Sequence, residues 1–287
     1  MAATHRKTTG RHARRKSPRR KKQHRVVQTV LLCVSVLMIG SGLLLWKAAW
    51  DLNGAASPES AASTDGFRPQ VGAPPYRVVV DAGHGGSDPG ARGVAEEKQI
   101  TAATAAELLQ WLERDANYIP LQTRENFETT ATPAERAAAA NRQAPQLLLS
   151  IHGNSAANGS AVAGFECYPS VPGRTWHEES FCFARLLADG MQRAGAGLRG
   201  RGGVRYIYYL ENDQKQLVET THTEVRAERS FTLLEDVDCP AVLAEQCFVT
   251  SEEDVAQFGS TDGCKKVARV YYEAICAYFG TEPLPAE

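Results

Sequence analysis

No two of the seven cysteines stand in a C-x-x-C pair, which removes thiolate zinc sites and dithiol redox motifs from consideration. No internal repeat occurs, so a solenoid or propeller is excluded. The first 25 residues lack any acid while holding eleven Lys or Arg, and residues 26–46 lack any charge at all. The whole chain has 287 residues, 43% hydrophobic and 23% charged, as expected for one globular domain with extra segments.

The formal net charge of −1 therefore hides an asymmetry: the basic run accounts for +11 and leaves −12 on everything after it. The uncharged stretch Val26 to Trp46, as a helix rising about 1.5 Å per residue, reaches roughly 31 Å and matches a hydrocarbon core about 30 Å thick. It is longer than the apolar core of a signal peptide, and no small-x-small cleavage site directly follows it. The Lys/Arg excess keeps residues 1–25 in the cytoplasm and sends the rest out, with Trp46 and Trp50 suited to the far interface. Topology and anionic lipid explain the basic tail better than nucleic acid, which is not expected as a partner. The expectation is a single-pass protein of the bacterial cell membrane with its main domain extracytoplasmic.

Residues 47–75, rich in Ala, Ser, Pro and Gly, read as a linker to a domain over 76–287. Within it, strands alternate with helices: helical periodicity over 96–114, a short strand at 118–123, a helix over 132–141 opened by Thr-Pro, a buried strand at 146–151, an extended stretch at 163–168, helices over 178–193 and 262–279, and a strand at 242–245. This predicts an α/β domain with a mostly parallel sheet. Six cysteines follow the span, an even number that permits disulfides outside the cell. Cys239 and Cys247 flank an apolar strand and Cys276 lies in a helix, so free, buried thiols are expected. His177 and His222 are expected at the surface.

The domain is organised around Val78 to Gly93, VVVDAGHGGSDPGARG, where a buried strand delivers His84 to a glycine-rich turn. A second buried strand ends at His152, and Glu96 and Glu97 open the first helix. Two imidazoles and one carboxylate leave a fourth position open on a metal, the pattern of a hydrolytic centre and not of a closed structural one.

VVVDAGHGG, the following Glu-Glu-Lys, Thr123-Arg124, Arg136 with Asn141, SIHGN at 150–154 and CPAVLAEQCF at 239–248 together resemble the zinc-dependent N-acetylmuramoyl-L-alanine amidases, in order and spacing, over residues 76–279. The resemblance implies a twisted six-stranded sheet flanked by helices, one Zn2+ per chain held by His84, Glu97 and His152, and Glu245 as catalytic glutamate. It implies peptidoglycan as substrate, cleaved between N-acetylmuramic acid and L-alanine. Asp81 is expected to orient His84 as metal-bound imidazoles require; Arg124 and Asn154 are scaffold or substrate-side groups. Cys247-Phe248 and Thr250-Ser251 depart from the family's Gly-Phe and Ser-Asn. The polar segment 206–228 stands where simpler members pass directly into the next strand, and could cap the cleft or receive a regulatory protein partner. Two other functions stay open: a non-catalytic wall-binding or regulatory protein, and a zinc peptidase acting on stem peptides.

Overall fold

Apolar runs at 78–80, 147–149 and 241–244 are continuous where a half-exposed strand would alternate, which marks strands buried on both faces. A computed structural model describes residue 67 and residues 69–286, apart from 158–160 and 212–213. The basic tail, the expected span at 26–46 and most of the linker lie outside the described residues, among which no helix is long and apolar enough to cross a membrane. In chain order the elements are β1 (Tyr76–Ala82), α1 (Glu97–Arg114), β2 (Tyr118–Gln122), α2 (Pro133–Asn141), β3 (Leu147–Asn154), β4 (Glu166–Pro169), α3 (His177–Arg193), β5 (Arg205–Tyr209), β6 (Lys215–Glu219), α4 (Thr232–Asp236), β7 (Ala241–Phe248) and α5 (Thr261–Phe279).

The helix ends follow local chemistry. Thr132 and Glu135 form a reciprocal capping box with Pro133 in the first turn of α2. Ser260 caps α5, which closes on Gly280 at φ 73°. In α1, Ile100, Thr104, Leu108 and Leu112 form the buried stripe, each apolar member contributing about 1.5–3 kcal/mol by burial.

The main sheet has the order β2-β1-β3-β7-β4, with the first four strands parallel and β4 antiparallel at the edge. Alternation along the strands sorts side chains to two faces. Val78, Val80, Leu147, Leu149, Val242 and Ala244 pack under α1, α3 and α5. Val79, Leu148, Ala241 and Leu243 meet the shorter α2 and α4 on the other face. That second face has less helix to cover it, and the carboxyl ends of its strands are open to a cleft.

The six-stranded sheet expected from the resemblance is five-stranded here. Beyond β4 the chain from 195 to 204 makes only isolated bridges, Phe165 with Leu198 and Cys167 with Val204. Gly195, Gly200, Gly202 and Gly203 all have positive φ, which breaks a regular ladder at the place of a sixth strand. The polar segment that follows is a two-stranded hairpin, β5 against β6, paired from Arg205 with Glu219 to Tyr209 with Lys215. Cys167, Cys239, Cys247, Cys264 and Cys276 are free thiols and buried. His222 is exposed, and His177 is half-buried: its Nδ1 donates to the Ser170 carbonyl at 2.7 Å and its ring packs on Phe181 and Tyr206.

Candidate metal centre and active site

The parity that makes two cores also builds the site. Gly83, His152 and Glu245 continue the face begun by Val79, Leu148 and Ala241, and His152 and Glu245 are direct register partners on β3 and β7. Glu245 in turn pairs with Glu166 on β4. His84 follows β1 with φ 60°, a left-handed conformation uncommon outside glycine. Arg124 holds that turn by donating to the backbone carbonyls of Ala82 and His84. Two glycines are required by close approach: a Cβ on Gly83 would lie 2.4–2.6 Å from the His152 ring, and one on Gly90 2.6 Å from Glu97 Oε2.

Glu97 is the first residue of α1, where the helix N-terminus favours a carboxylate. Its Oε1 accepts from His152 Nδ1 at 2.9 Å and from Gly153 N at 3.0 Å, and lies 3.1 Å from His84 Nε2. Its Oε2 accepts from Ala91 N at 2.8 Å. Glu96 turns away to Arg92, so of the two adjacent acids only Glu97 enters the site. Burial alone would raise the Glu97 carboxyl, but the two imidazoles hold it well below the usual carboxylate range. For His84, burial opposes the charged ring, and the hydrogen bonds and charges of Glu97 and Asp88 outweigh it and raise its pKa.

Ligand atoms of His84, Glu97 and His152 all lie within 4.8 Å of one another. Around a tetrahedral ion with bonds of roughly 2.05 Å, donor atoms stand about 3.3 Å apart. The 2.9 and 3.1 Å separations need only a small expansion, and a nitrogen, nitrogen, oxygen donor set suits zinc. His84 Nδ1 donates to Asp88 Oδ2 at 2.8 Å, leaving Nε2 toward the triad.

Asp81 does not orient His84. Its fully buried carboxylate is bound to Arg136 and accepts from Thr123 Oγ1 at 2.5 Å and Ser150 Oγ at 2.8 Å. The reason is the pleat: Asp81 shares the face of Ser150 one step below the site, while His84 has left the strand. Asp88, four residues beyond His84, does the orienting instead. Arg124 is scaffold. Asn154 lines the cleft and donates to Glu166 at 2.6 Å.

Glu245 faces a cleft of roughly 350 Å³ that His84, Glu97 and His152 also line, with Arg136, Tyr209, Lys215 and Phe231 on its walls. Its Oε2 is shielded from solvent and has no hydrogen-bond partner among the described residues. Burial first, then the charges of Glu97 and Glu166, push this carboxyl up to about 8, opposed by Lys215 and His84. A proton acceptor without a partner, poised near neutrality, suits acid–base chemistry. Sequence reasoning missed Asp88, Lys215 and the Glu166–Arg205 ion pair at 3.0 Å. Asp88 was findable as a polar residue in the same turn as His84; Lys215 left no local signal.

A parallel α/β sheet that gathers two imidazoles and a carboxylate beside an unpartnered carboxylate defines an enzyme of the hydrolytic class with a site able to hold a metal. The profile of the N-acetylmuramoyl-L-alanine amidases matches residues 78–277, and the chain belongs to that family. It is a peptidoglycan amidase, acting on the amide between N-acetylmuramic acid and L-alanine. The sporulation-specific N-acetylmuramoyl-L-alanine amidase of Bacillus subtilis (strain 168) is 34% identical over 196 residues, 67% of this chain and 64% of that protein. The catalytic domain of the amidase CwlV from Bacillus (Paenibacillus) polymyxa var. colistinus superimposes with TM-score 0.57 at 25% identity, covering 72% of this chain and 99% of that one. The CwlD amidase from Clostridioides difficile, solved in complex with the GerS lipoprotein, matches with TM-score 0.55 at 20% identity over 71% of this chain and 98% of that one.

Proposed function

We propose that the chain hydrolyses the muramyl–L-alanine amide with one zinc ion held by His84, Glu97 and His152 and with Glu245 as the proton carrier. The observation that carries this reading is the convergence of the three ligand groups on the cleft into which the unpartnered Glu245 carboxylate opens. Zinc bound there supplies Lewis acidity, polarising the scissile carbonyl and acidifying water. Glu245 takes a proton from the attacking water and returns it to the departing nitrogen of L-alanine, so that the C–N bond breaks to a lactyl carboxylate and a free amine. Asp88 holds the His84 ring in the required tautomer, and Arg124 fixes the turn that carries it.

The domain acts outside the cell, tethered by Val26 to Trp46 with residues 1–25 cytoplasmic. Resistance of the chain to alkaline extraction from membranes supports the anchor, and release into the supernatant overturns it. A regulatory partner at 206–228 draws support from the complex in which the CwlD amidase was solved, and exposed Leu217 on β6 offers it an apolar contact.

Digestion of purified peptidoglycan by the zinc-loaded full chain tests the activity. New L-alanine N-termini are the expected product. Peptide fragments without them would favour a peptidase, and bound zinc with no release would favour a wall-binding protein. Glu245→Gln keeps zinc and lowers turnover by about 10²–10⁴; full activity in that variant would remove Glu245 from the mechanism.

A further inference from the structure

We propose that Lys215 binds a free carboxylate on the peptide part of the substrate and so seats the leaving peptide in the cleft. The proposal rests on the amidase reading above and names the group that recognises the peptide side. Two side chains with permanent positive charge line the cleft among the described residues, Arg136 and Lys215. Arg136 is buried and bound to Asp81, so its charge is already matched. Lys215 has no carboxylate partner among the described residues; its ammonium stands 5.7 Å from the ring centre of Tyr209 and 5.8 Å from that of Phe231. Two aromatic faces hold the ammonium weakly and leave its three donors free. Glu97 belongs to the metal group, so of the charged side chains in the cleft wall Lys215 is the cation left to receive an anionic ligand group away from the reacting centre.

The wall that carries Lys215 is tied down on two sides. Arg205 joins β5 to Glu166 on the main sheet at 3.0 Å and to Glu219 on β6 at 3.3 Å. Arg174 grips the return segment through the Glu228 carbonyl at 3.0 Å and Glu235 at 2.8 Å. Lys215 also sits close enough to Glu245 for its charge to oppose the rise in that group's pKa. A substrate that reaches both the metal ligands and Lys215 therefore spans the cleft from the scissile amide to its own peptide.

The test uses the zinc-loaded full chain, the variants Lys215→Met and Lys215→Arg, and a synthetic muramyl pentapeptide offered with its carboxylates free or amidated. Wild type is expected to show a KM about 10-fold lower for the free form, in line with one charge-assisted contact at a partly exposed position, and this advantage shrinks as salt rises. Lys215→Met abolishes the difference by raising KM on the free form alone, while kcat falls alike on both forms because the lost charge lets the Glu245 pKa rise; Lys215→Arg restores most of both. An equal rise of KM on both substrates, or an advantage that survives Lys215→Met, would overturn the proposal. Binding of the released peptide, free against amidated, to Glu245→Gln with and without Lys215→Met decides the matter independently of turnover. Failure of wild type to hydrolyse either compound would count against the amidase reading and leave that binding result to judge Lys215.

Discussion

Asp81 and Asp88 lie in the same sixteen-residue stretch, and replacing each by asparagine separates two tasks that proximity in sequence confuses. Asp81 has no exposure and Arg136 only 5%. Asp81→Asn keeps the shape but leaves the guanidinium buried without its counter-charge, and breaking such a pair costs about 3–5 kcal/mol. The Thr123 and Ser150 hydroxyls that remain cannot replace the lost charge. Asp88 is 53% exposed, so its contribution to stability is under about 1 kcal/mol. Its grip on His84 Nδ1 is instead worth about 10-fold in metal affinity. Urea unfolding in the presence of chelator, with Cm and m fitted separately, measures the first effect; competition with a chromophoric chelator measures the second. Asp81→Asn should shift Cm strongly and leave zinc affinity within about 2-fold, and Asp88→Asn should do the reverse. Adding Arg136→Met to Asp81→Asn should recover part of the loss by removing the stranded charge. A 10-fold fall in zinc affinity on Asp81→Asn with none on Asp88→Asn would refute the assignment and return Asp81 to the role expected of it from sequence.

A general base works only when deprotonated, so kcat/KM falls about tenfold per pH unit below the Glu245 pKa. Burial raises that pKa and a bound dication lowers it, which puts the acid limb between the ordinary 4.5 and about 8; a limb at or below 4.5 in a pH–rate profile contradicts the burial argument. Gly83→Ala drives a Cβ into the His152 ring and should weaken zinc binding at least 10-fold by chelator competition, whereas unchanged affinity would mean the ring has room to move. Arg205→Met strands Glu166, which is 3% exposed, and should cost about 3–5 kcal/mol in denaturant unfolding while moving the acid limb of activity upward; a loss below 1 kcal/mol would show that the hairpin is not tied through this pair.

By itself the sequence determined the parallel α/β class, because buried strands are continuous apolar runs and helices carry a 3.6-residue period, both local signals. It also marked His84 and His152 after apolar runs and the Glu96–Glu97 pair at a helix start, whereas the choice of Glu97 and the role of Glu245, which lies inside β7, came from the resemblance to the amidase family. His84, Glu97, His152 and Glu245 share one cleft only because β1, β3 and β7 lie side by side in parallel with matched pleats. Register is a property of pairing, and no stretch of chain records its partner's register. The same limit explains Asp81: its strand placed it correctly, but whether it faced His84 or Arg136 depended on which way the chain turned after Ala82. The sixth strand was lost to glycines at 195–203 whose left-handed conformations are permitted by sequence and fixed only by packing against β4. Lys215 is the furthest case, a polar residue in a polar hairpin. Its place in the cleft follows from the hairpin's tie to the edge of the sheet, where half-buried Arg205 meets buried Glu166, a partner distant in sequence.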